Sequence, residues 1–113
     1  MAARRHPPLV MSGRSLGTTR HSYLCTYDVA EDKRRNRLFE LLKDHGEHVQ
    51  YSVFLCELTV RECAGLIARS REIVHHETDQ LLVIKLGPAG LDWTQCLDSV
   101  GKSWTPFVRC TIV

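Results

Sequence analysis

Asp28 and the basic run that follows it are the residues whose types and spacing suit chemistry on phosphates. Asp28 closes the apolar segment 23–29, and the run Lys33-Arg34-Arg35-Asn36-Arg37 begins five residues later. Carboxylate oxygens are natural ligands of hard cations, and arginines bind phosphate through charge-assisted hydrogen bonds. A cation held there would support phosphodiester hydrolysis by polarising the phosphate and activating water. One aspartate per chain is a sparse ligand set for such a cation.

Simpler structural roles fit the same residues. Asp28 and Glu31 have the spacing of a capping box, so Asp28 could start a helix, and this role does not exclude the first. A run of basic side chains on a helix commonly forms a solvated face. Tyr27 and Phe54 fit strand or core packing, and His48 fits an exposed strand edge.

Hydrophobic periodicity predicts the elements that must position these residues. Residues 23–29 are β-branched and aromatic and predict a buried strand. A helix is then predicted from the spacing of Leu38, Leu41, Leu42 and His45, with Gly46 ending it. The next segment, 48–58, reads as an extended stretch that Ser52 could divide in two.

The second half of the sequence predicts another helix and strand. Thr59 and Glu62 form a capping box at the start of the helix. Its predicted apolar stripe consists of Val60, Cys63, Ala64, Ile67 and Val74. The continuous aliphatic run Gln80–Leu86 predicts a strand covered on both faces and ended by Gly87-Pro88.

The order of these elements predicts an α+β, ferredoxin-like (split βαβ) single domain over residues 21–88. Residues 89–105 fit either a loop or a short helix, and Trp93, Leu97 and Trp104 indicate ordered packing there. Residues 106–113 read as a last strand, which would be an exposed edge unless another strand paired with it.

Charge is distributed unevenly along the 113 residues, although the net charge is only +2. Residues 1–20 contain four arginines and no acidic residue, which leaves 11 basic and 13 acidic residues in 21–113. The first segment therefore reads as a flexible basic extension, either a phosphate-binding arm or a solvated tail. It lacks the apolar core of a secretory signal.

Composition and cysteine spacing narrow the class of protein. Hydrophobic residues make up 43% and charged residues 25%, which is typical of a globular domain and unlike a fibrous or disordered chain. No apolar run is long enough for a membrane span, so we expect a soluble, cytoplasmic protein. The five cysteines are scattered singly, which favours reduced thiols and argues against a zinc site.

The ordered set of motifs resembles the small CRISPR-associated endoribonuclease family, the small subunit of the CRISPR spacer-acquisition machinery. The resemblance rests on Tyr27-Asp28-Val29, the basic run 33–37, the stretch 49–54 (VQYSVF), Glu57-Leu58-Thr59 and the strand 81–86. It covers roughly residues 23–88. No one motif is decisive, but the ordered set is specific.

The resemblance implies a homodimer and a shared metal site. In that family the terminal strand pairs with the partner's sheet, and two symmetry-related aspartates at the end of the first strand hold Mg²⁺, with Mn²⁺ as a possible substitute. That position corresponds to Asp28. Arg35 and Arg37 fall on the family's basic positions, with Arg34 beside them, and Tyr27 and Phe54 fall on its aromatic positions near the site. Members cleave single-stranded RNA or double-stranded DNA.

The resemblance also leaves alternatives open. Where family members often carry arginine before Val-Gln, this chain has His48, which could act as a general acid near neutral pH. In several systems the dimer bridges two dimers of the CRISPR integrase, and spacer acquisition does not require its nuclease site. A non-catalytic scaffold for duplex DNA is therefore the alternative function. In it Arg34, Arg35, Arg37 and the arginines of the N-terminal extension would contact phosphates without reading sequence. A ferredoxin-like regulatory or small-ligand domain is a third.

Overall fold

The computed structural model describes residues 19–90 and 92–106. Four strands and two helices alternate in the order predicted for a ferredoxin-like domain. They are β1 (Arg20–Asp28), α1 (Asp32–Lys43), β2 (Gly46–Gln50), β3 (Val53–Thr59), α2 (Val60–Ile73) and β4 (Gln80–Pro88). Neither helix in this part of the chain is long and apolar enough to cross a bilayer.

The four strands form one antiparallel sheet in the order β2-β3-β1-β4. β1 is central and pairs with β3 on one side and β4 on the other, and Asp28 lies opposite Gln80. The helices pack on one face of the sheet, around a core that includes Cys25, Leu38, Phe54 and Leu66. The predicted α+β, ferredoxin-like class is confirmed.

β1 owes its position to alternating side chains. Tyr23, Cys25 and Tyr27 are buried under the helices, while Leu24 and Thr26 point to the opposite face and are partly exposed. The strand begins at Arg20, so this residue is not part of the tail in which the sequence analysis placed it. Its guanidinium pairs with Glu62 at 2.8 Å, across the sheet end.

α1 begins four residues after Asp28, and its N-cap is Glu31, whose side chain accepts a hydrogen bond from the Arg34 backbone N–H. The interpretation of Asp28 as the helix cap is therefore wrong. Leu38 and Leu42 are fully buried on one face, as the periodicity predicted. The helix ends at Lys43 rather than Gly46.

β2 and β3 form a hairpin through a turn at Tyr51 and Ser52, which confirms the predicted division of the extended stretch at Ser52. Gly46 starts β2 and does not end the helix. A Cβ there would overlap the Leu55 carbonyl oxygen and the Cys56 sulfur. The glycine is required because β2 approaches β3 closely.

α2 begins with the predicted capping box: the Thr59 hydroxyl accepts from the Glu62 N–H, and the Glu62 carboxylate accepts from the Thr59 N–H. The predicted stripe is only partly right. Val60 and Ala64 are exposed, and Leu66 and Ser70 are buried instead. The buried positions 63, 66 and 70 lie on one face at helical spacing, whereas position 60 sits on the first turn, outside the contact with the sheet.

β4 is an edge strand with one open face, so the prediction that both its faces are covered is wrong for the described residues. Leu81 and Val83 pack toward the helices, but Leu82, Ile84 and Leu86 are 44%, 44% and 57% exposed. The physical reason is that both helices lie on the same side of the sheet, which leaves the aliphatic side chains of the other face uncovered.

The segment after β4 runs across to the opposite edge of the sheet. It contains a 3₁₀ turn at Trp93–Cys96, and the Trp93 and Trp104 rings meet edge to face at 5.3 Å. The Trp93 indole N–H donates to Glu47, and that of Trp104 donates to the Val49 carbonyl, both on β2. The ordered packing predicted from these tryptophans is present. Of the last strand predicted over residues 106–113, residues 107–113 lie outside the described residues, as does the basic tail over residues 1–18.

Candidate active site

Asp28 lies at the last position of β1, with its carboxylate exposed to solvent. The alternation of β1 puts it on the open face of the sheet, opposite to the buried Tyr27. No hydrogen bond or ion pair to the Asp28 carboxylate occurs within the described residues. The carboxylate is thus available to an external ligand.

A cleft of about 460 Å³ opens beside Asp28, between the end of β1, the outer face of α1 and the β2–β3 turn. Of the residues predicted for the site, the cleft brings together three, namely Tyr27, Asp28 and Arg35. The rest of its lining is Val29, Asn36, Phe39, Tyr51 and Ser52. The cleft joins an acidic group, a fixed cation and aromatic surface, which suits a nucleotide.

Two contacts with nearby residues hold the Arg35 side chain at the rim of the cleft. One guanidinium nitrogen donates to the Val29 carbonyl at 2.8 Å, and another pairs with Asp32 one turn earlier on α1. A guanidinium has five N–H donors, so others remain for a phosphate. The two contacts fix the direction in which this cation faces the cleft.

Tyr27 has a buried ring, and its backbone N–H connects two sides of the cleft. Its N–H donates to the Ser52 carbonyl at 3.2 Å, which fastens the β2–β3 turn to the end of β1. Burial raises the pKa of the Tyr27 hydroxyl, and the nearby Arg35 charge opposes that shift. The hydroxyl is therefore protonated at neutral pH and suits hydrogen-bond donation rather than general base catalysis.

Phe54 and His48 belong to an aromatic cluster under the cleft. Phe54 is fully buried and packs against Tyr27 at 6.5 Å and Phe39 at 5.5 Å. The His48 ring stacks on Phe54 at 4.7 Å, and its Nε2 lies 2.6 Å from the Tyr51 carbonyl oxygen. A carbonyl only accepts, so this nitrogen carries a proton. Neither residue lines the cleft, and their predicted catalytic roles stay predictions.

The other two predicted arginines point away from the cleft. The Arg34 Nε lies 2.6 Å from the Asp79 carboxylate, so its charge already has a partner. Arg37 is exposed but does not line the cleft, because it lies two residues from Arg35 and hence on another face of α1. Their contacts with nucleic acid stay predictions.

Among the described residues that line the cleft, Asp28 is the only carboxylate that could bind a metal ion. The described residues contain no group of three or more histidines, cysteines, aspartates or glutamates arranged to hold a metal. The Asp28 carboxylate fits Mg²⁺ by its chemistry, but it needs ligands from elsewhere. A second copy of the same carboxylate is one such source.

Sequence reasoning assigned no role in the site to Asn36, Phe39 or Tyr51, all of which line the cleft. Phe39 and Arg35 are four residues apart on α1, a spacing that places them on one helix face. That spacing could have identified Phe39. Tyr51 is brought to the cleft by a hairpin turn, and periodicity alone carries no signal for it.

Comparison with known proteins identifies the family of this chain. The sequence matches the family described as CRISPR associated protein Cas2 over residues 21–92. It is 32% identical to the CRISPR-associated endoribonuclease Cas2 1 of Rhodospirillum rubrum, over 87% of this chain and 99% of that protein. It is 33% identical to the CRISPR-associated endoribonuclease Cas2 of Geobacter sulfurreducens, over 82% of this chain and 97% of that protein.

Solved structures show the same fold. A hypothetical protein from Thermus thermophilus superposes with a TM-score of 0.63 at 33% identity. The match covers 78% of this chain and 99% of that protein. Streptococcus pyogenes Cas2, in a crystal structure at pH 6.5, gives 0.61 at 30% identity, with 71% and 99% of the two chains covered. With its motifs, its fold and these relatives in agreement, this chain belongs to the Cas2 family of CRISPR-associated proteins.

Proposed function

We propose that this protein is a metal-dependent endonuclease that hydrolyses phosphodiester bonds of RNA or DNA in CRISPR adaptation and antiviral defence. The observation that carries the proposal is the cleft in which the exposed Asp28 carboxylate and the anchored Arg35 guanidinium lie together. The relatives from Rhodospirillum rubrum and Geobacter sulfurreducens, both named endoribonucleases, support the same reaction class.

We further propose that the working unit is a homodimer. The exposed aliphatic side chains of Leu82, Ile84 and Leu86 support this, because burying apolar surface favours association. Asp28 projects on the same open face of the sheet. An isologous interface over that face would bring two copies of Asp28 toward one axis.

In that dimer the two Asp28 carboxylates would hold Mg²⁺, or Mn²⁺ in its place. The bound ion would polarise the scissile phosphate and lower the pKa of a water molecule. Without a cation, two carboxylates close together would repel each other. Cleavage is therefore expected to need both the metal and the dimer.

The other residues of the cleft would bind and orient the substrate. Arg35 would donate hydrogen bonds to a phosphate oxygen from a direction fixed by Val29 and Asp32. The protonated Tyr27 hydroxyl would serve as a donor. Phe54 and His48 would support the cleft from below through their stacked rings.

The alternative is a non-catalytic scaffold that holds duplex DNA between integrase dimers. It is favoured by the exposed basic side chains that face solvent on both helices, away from the cleft: Lys33, Arg37, Arg61, Arg69 and Arg71. Such a surface would contact phosphates without reading sequence. None of these basic residues lines the cleft, so duplex binding and cleavage can be measured separately.

Cleavage of labelled single-stranded RNA and duplex DNA, with Mg²⁺, with Mn²⁺ and with chelator, separates the two. We expect cleavage by the wild type with metal only, and its loss in Asp28→Ala. Asp98→Ala, which removes an exposed aspartate outside the cleft, is the matched control and should cleave normally. Equal cleavage by wild type and Asp28→Ala would remove Asp28 from the site. Duplex binding without any cleavage would favour the scaffold.

A further inference from the structure

Tyr51 is the most exposed of the three tyrosines in the described residues, and it lines the Asp28 cleft. It is 84% exposed, whereas Tyr23 and Tyr27 are 6% and 8% exposed. An aromatic side chain ordinarily gains by burying its apolar ring, so leaving it in water forgoes stabilisation. The fold itself therefore does not account for an aromatic residue at this position.

The backbone of Tyr51 also runs against its residue type. Its φ is +36°, and it is the only non-glycine residue with positive φ in residues 19–90 and 92–106. Glycine and asparagine adopt this region easily, while residues with bulky side chains rarely do. The turn would therefore form more readily without a tyrosine.

Two hydrogen bonds keep the turn in place despite this strain. The His48 Nε2–H donates to the Tyr51 carbonyl at 2.6 Å, and the Ser52 carbonyl accepts from the Tyr27 N–H at 3.2 Å. The second bond attaches the turn directly to the strand that ends in Asp28. The exposed Tyr51 ring therefore extends from a turn that hydrogen bonds hold in a fixed position beside Asp28.

The composition of the cleft indicates what the ring would meet. Arg35 supplies a fixed cation for a phosphate, and Tyr51 supplies an exposed aromatic face in the same cleft. Proteins that bind single strands combine these two features, a cation along the backbone and an aromatic ring under a base. A base inside a duplex already stacks on its neighbours, so the ring is suited to an unpaired base.

We propose that Tyr51 is a substrate-positioning residue whose ring stacks on an unpaired nucleobase next to the phosphate held in the Asp28 cleft. This inference rests on the proposed nuclease function. The stacking contact requires a base at one particular nucleotide of the substrate. Any of the bases would serve, because every base offers a π face.

The test measures binding of labelled single-stranded oligonucleotides to the Asp28→Ala protein with chelator present, so that cleavage cannot interfere. An abasic site is moved through the oligonucleotide one position at a time. Tyr51→Phe keeps the ring, while Tyr51→Asn removes it and suits the positive φ. Val100→Ala removes an exposed apolar side chain elsewhere and is the control.

We expect Tyr51→Asn to weaken binding about 5- to 100-fold, and Tyr51→Phe and Val100→Ala to leave it nearly unchanged. In the protein that retains Tyr51, an abasic site at one position should weaken binding by a similar factor. The same abasic site should weaken binding by Tyr51→Asn little further, because the missing base and the missing ring remove the same contact. The Tm of Tyr51→Asn should equal or exceed that of its parent, which a merely structural role would not allow.

Unchanged affinity in Tyr51→Asn would overturn the proposal. So would abasic losses that are the same with and without the ring at every position. A failure of the nuclease function would look different: Asp28→Ala would cleave as well as wild type, while the dependence of binding on Tyr51 would still be measurable.

Discussion

Arg34 and Asp79 form an ion pair that joins the start of α1 to the start of β4, with 2.6 Å between Arg34 Nε and Asp79 Oδ2. The Asp79 side chain is completely shielded from solvent, and it also accepts from the N–H groups of Ala30 and His75. Ala30 follows Asp28 by two residues. The pair therefore fixes the loop that directly follows the proposed metal ligand.

The Arg34–Asp79 pair predicts a loss of stability in acid. The Arg34 guanidinium holds the pKa of the Asp79 carboxyl well below its usual range, and hydrogen bonds from His75 and Ala30 act in the same direction. The folded state thus binds this proton less readily than the unfolded state. The contribution is complete above about pH 4, the ordinary value for aspartate, and is lost as the pH falls below it.

Urea denaturation of wild type and Asp79→Asn between pH 7 and pH 2.5 checks this prediction. Glu62 and Asp92 also have lowered pKa values, so the readout is the difference between the two proteins. We expect Asp79→Asn to be less stable at pH 7 and the difference to shrink in acid. A difference that is constant with pH would contradict the assignment.

Arg35 and Arg37 are expected to differ in their effect on cleavage, because only Arg35 lines the cleft. Arg35→Ala removes charge-assisted hydrogen bonds to phosphate and should lower the cleavage rate roughly 10-fold or more. Arg37→Ala should change it little and weaken duplex binding in a salt-dependent way. Initial rates and binding at two salt concentrations are the measurements. Equal losses of cleavage rate in Arg35→Ala and Arg37→Ala would contradict the prediction that only Arg35 contacts the scissile phosphate.

Phe54 is expected to act through packing. Phe54→Leu should lower the free energy of unfolding by about 1 kcal/mol, because a fully buried ring is exchanged for a smaller side chain. Cleavage per folded molecule should stay within about twofold of wild type. A large loss of cleavage with an unchanged Tm would instead show that the ring takes part in the reaction.

Ile84 is expected to lie in the proposed dimer interface. Ile84→Glu would put a charge on the exposed aliphatic face of β4 and should shift the protein from twice the 12.9 kDa chain mass to a single chain. Cleavage should be lost with the dimer, since Asp28 would no longer meet its copy. Val100→Glu is the control, and light scattering at micromolar concentration gives the mass. A wild type that already has the mass of one chain would refute the dimer.

The fold was largely predictable because local rules and the global arrangement agree. Three predictions follow from short-range patterns: the Thr59–Glu62 capping box, the strand over residues 23–29 and the division of the hairpin at Ser52. The error about β4 has a physical cause. The covering of β4 depends on which side of the sheet the helices occupy, and an aliphatic run such as 81–86 does not contain that information.

The site was predictable only where strand position determines it. Asp28, Tyr27 and Arg35 meet as expected, because the end of β1 leads directly into α1. The partner of Arg34 was not foreseen, since Asp79 is 45 residues away in sequence. Tyr51 was not assigned a role either, because its exposure and positive φ arise from the turn and not from any apolar pattern.

The claim that two copies of Asp28 share one metal ion is tested most directly by the stoichiometry of metal binding. Mn²⁺ titration of the purified protein, with free Mn²⁺ followed by its electron paramagnetic resonance signal, counts the bound ions per chain. We predict one Mn²⁺ per two chains in the wild type and in Asp98→Ala, and loss of this site in Asp28→Ala. One ion per chain, or a site that persists in Asp28→Ala, would contradict the account.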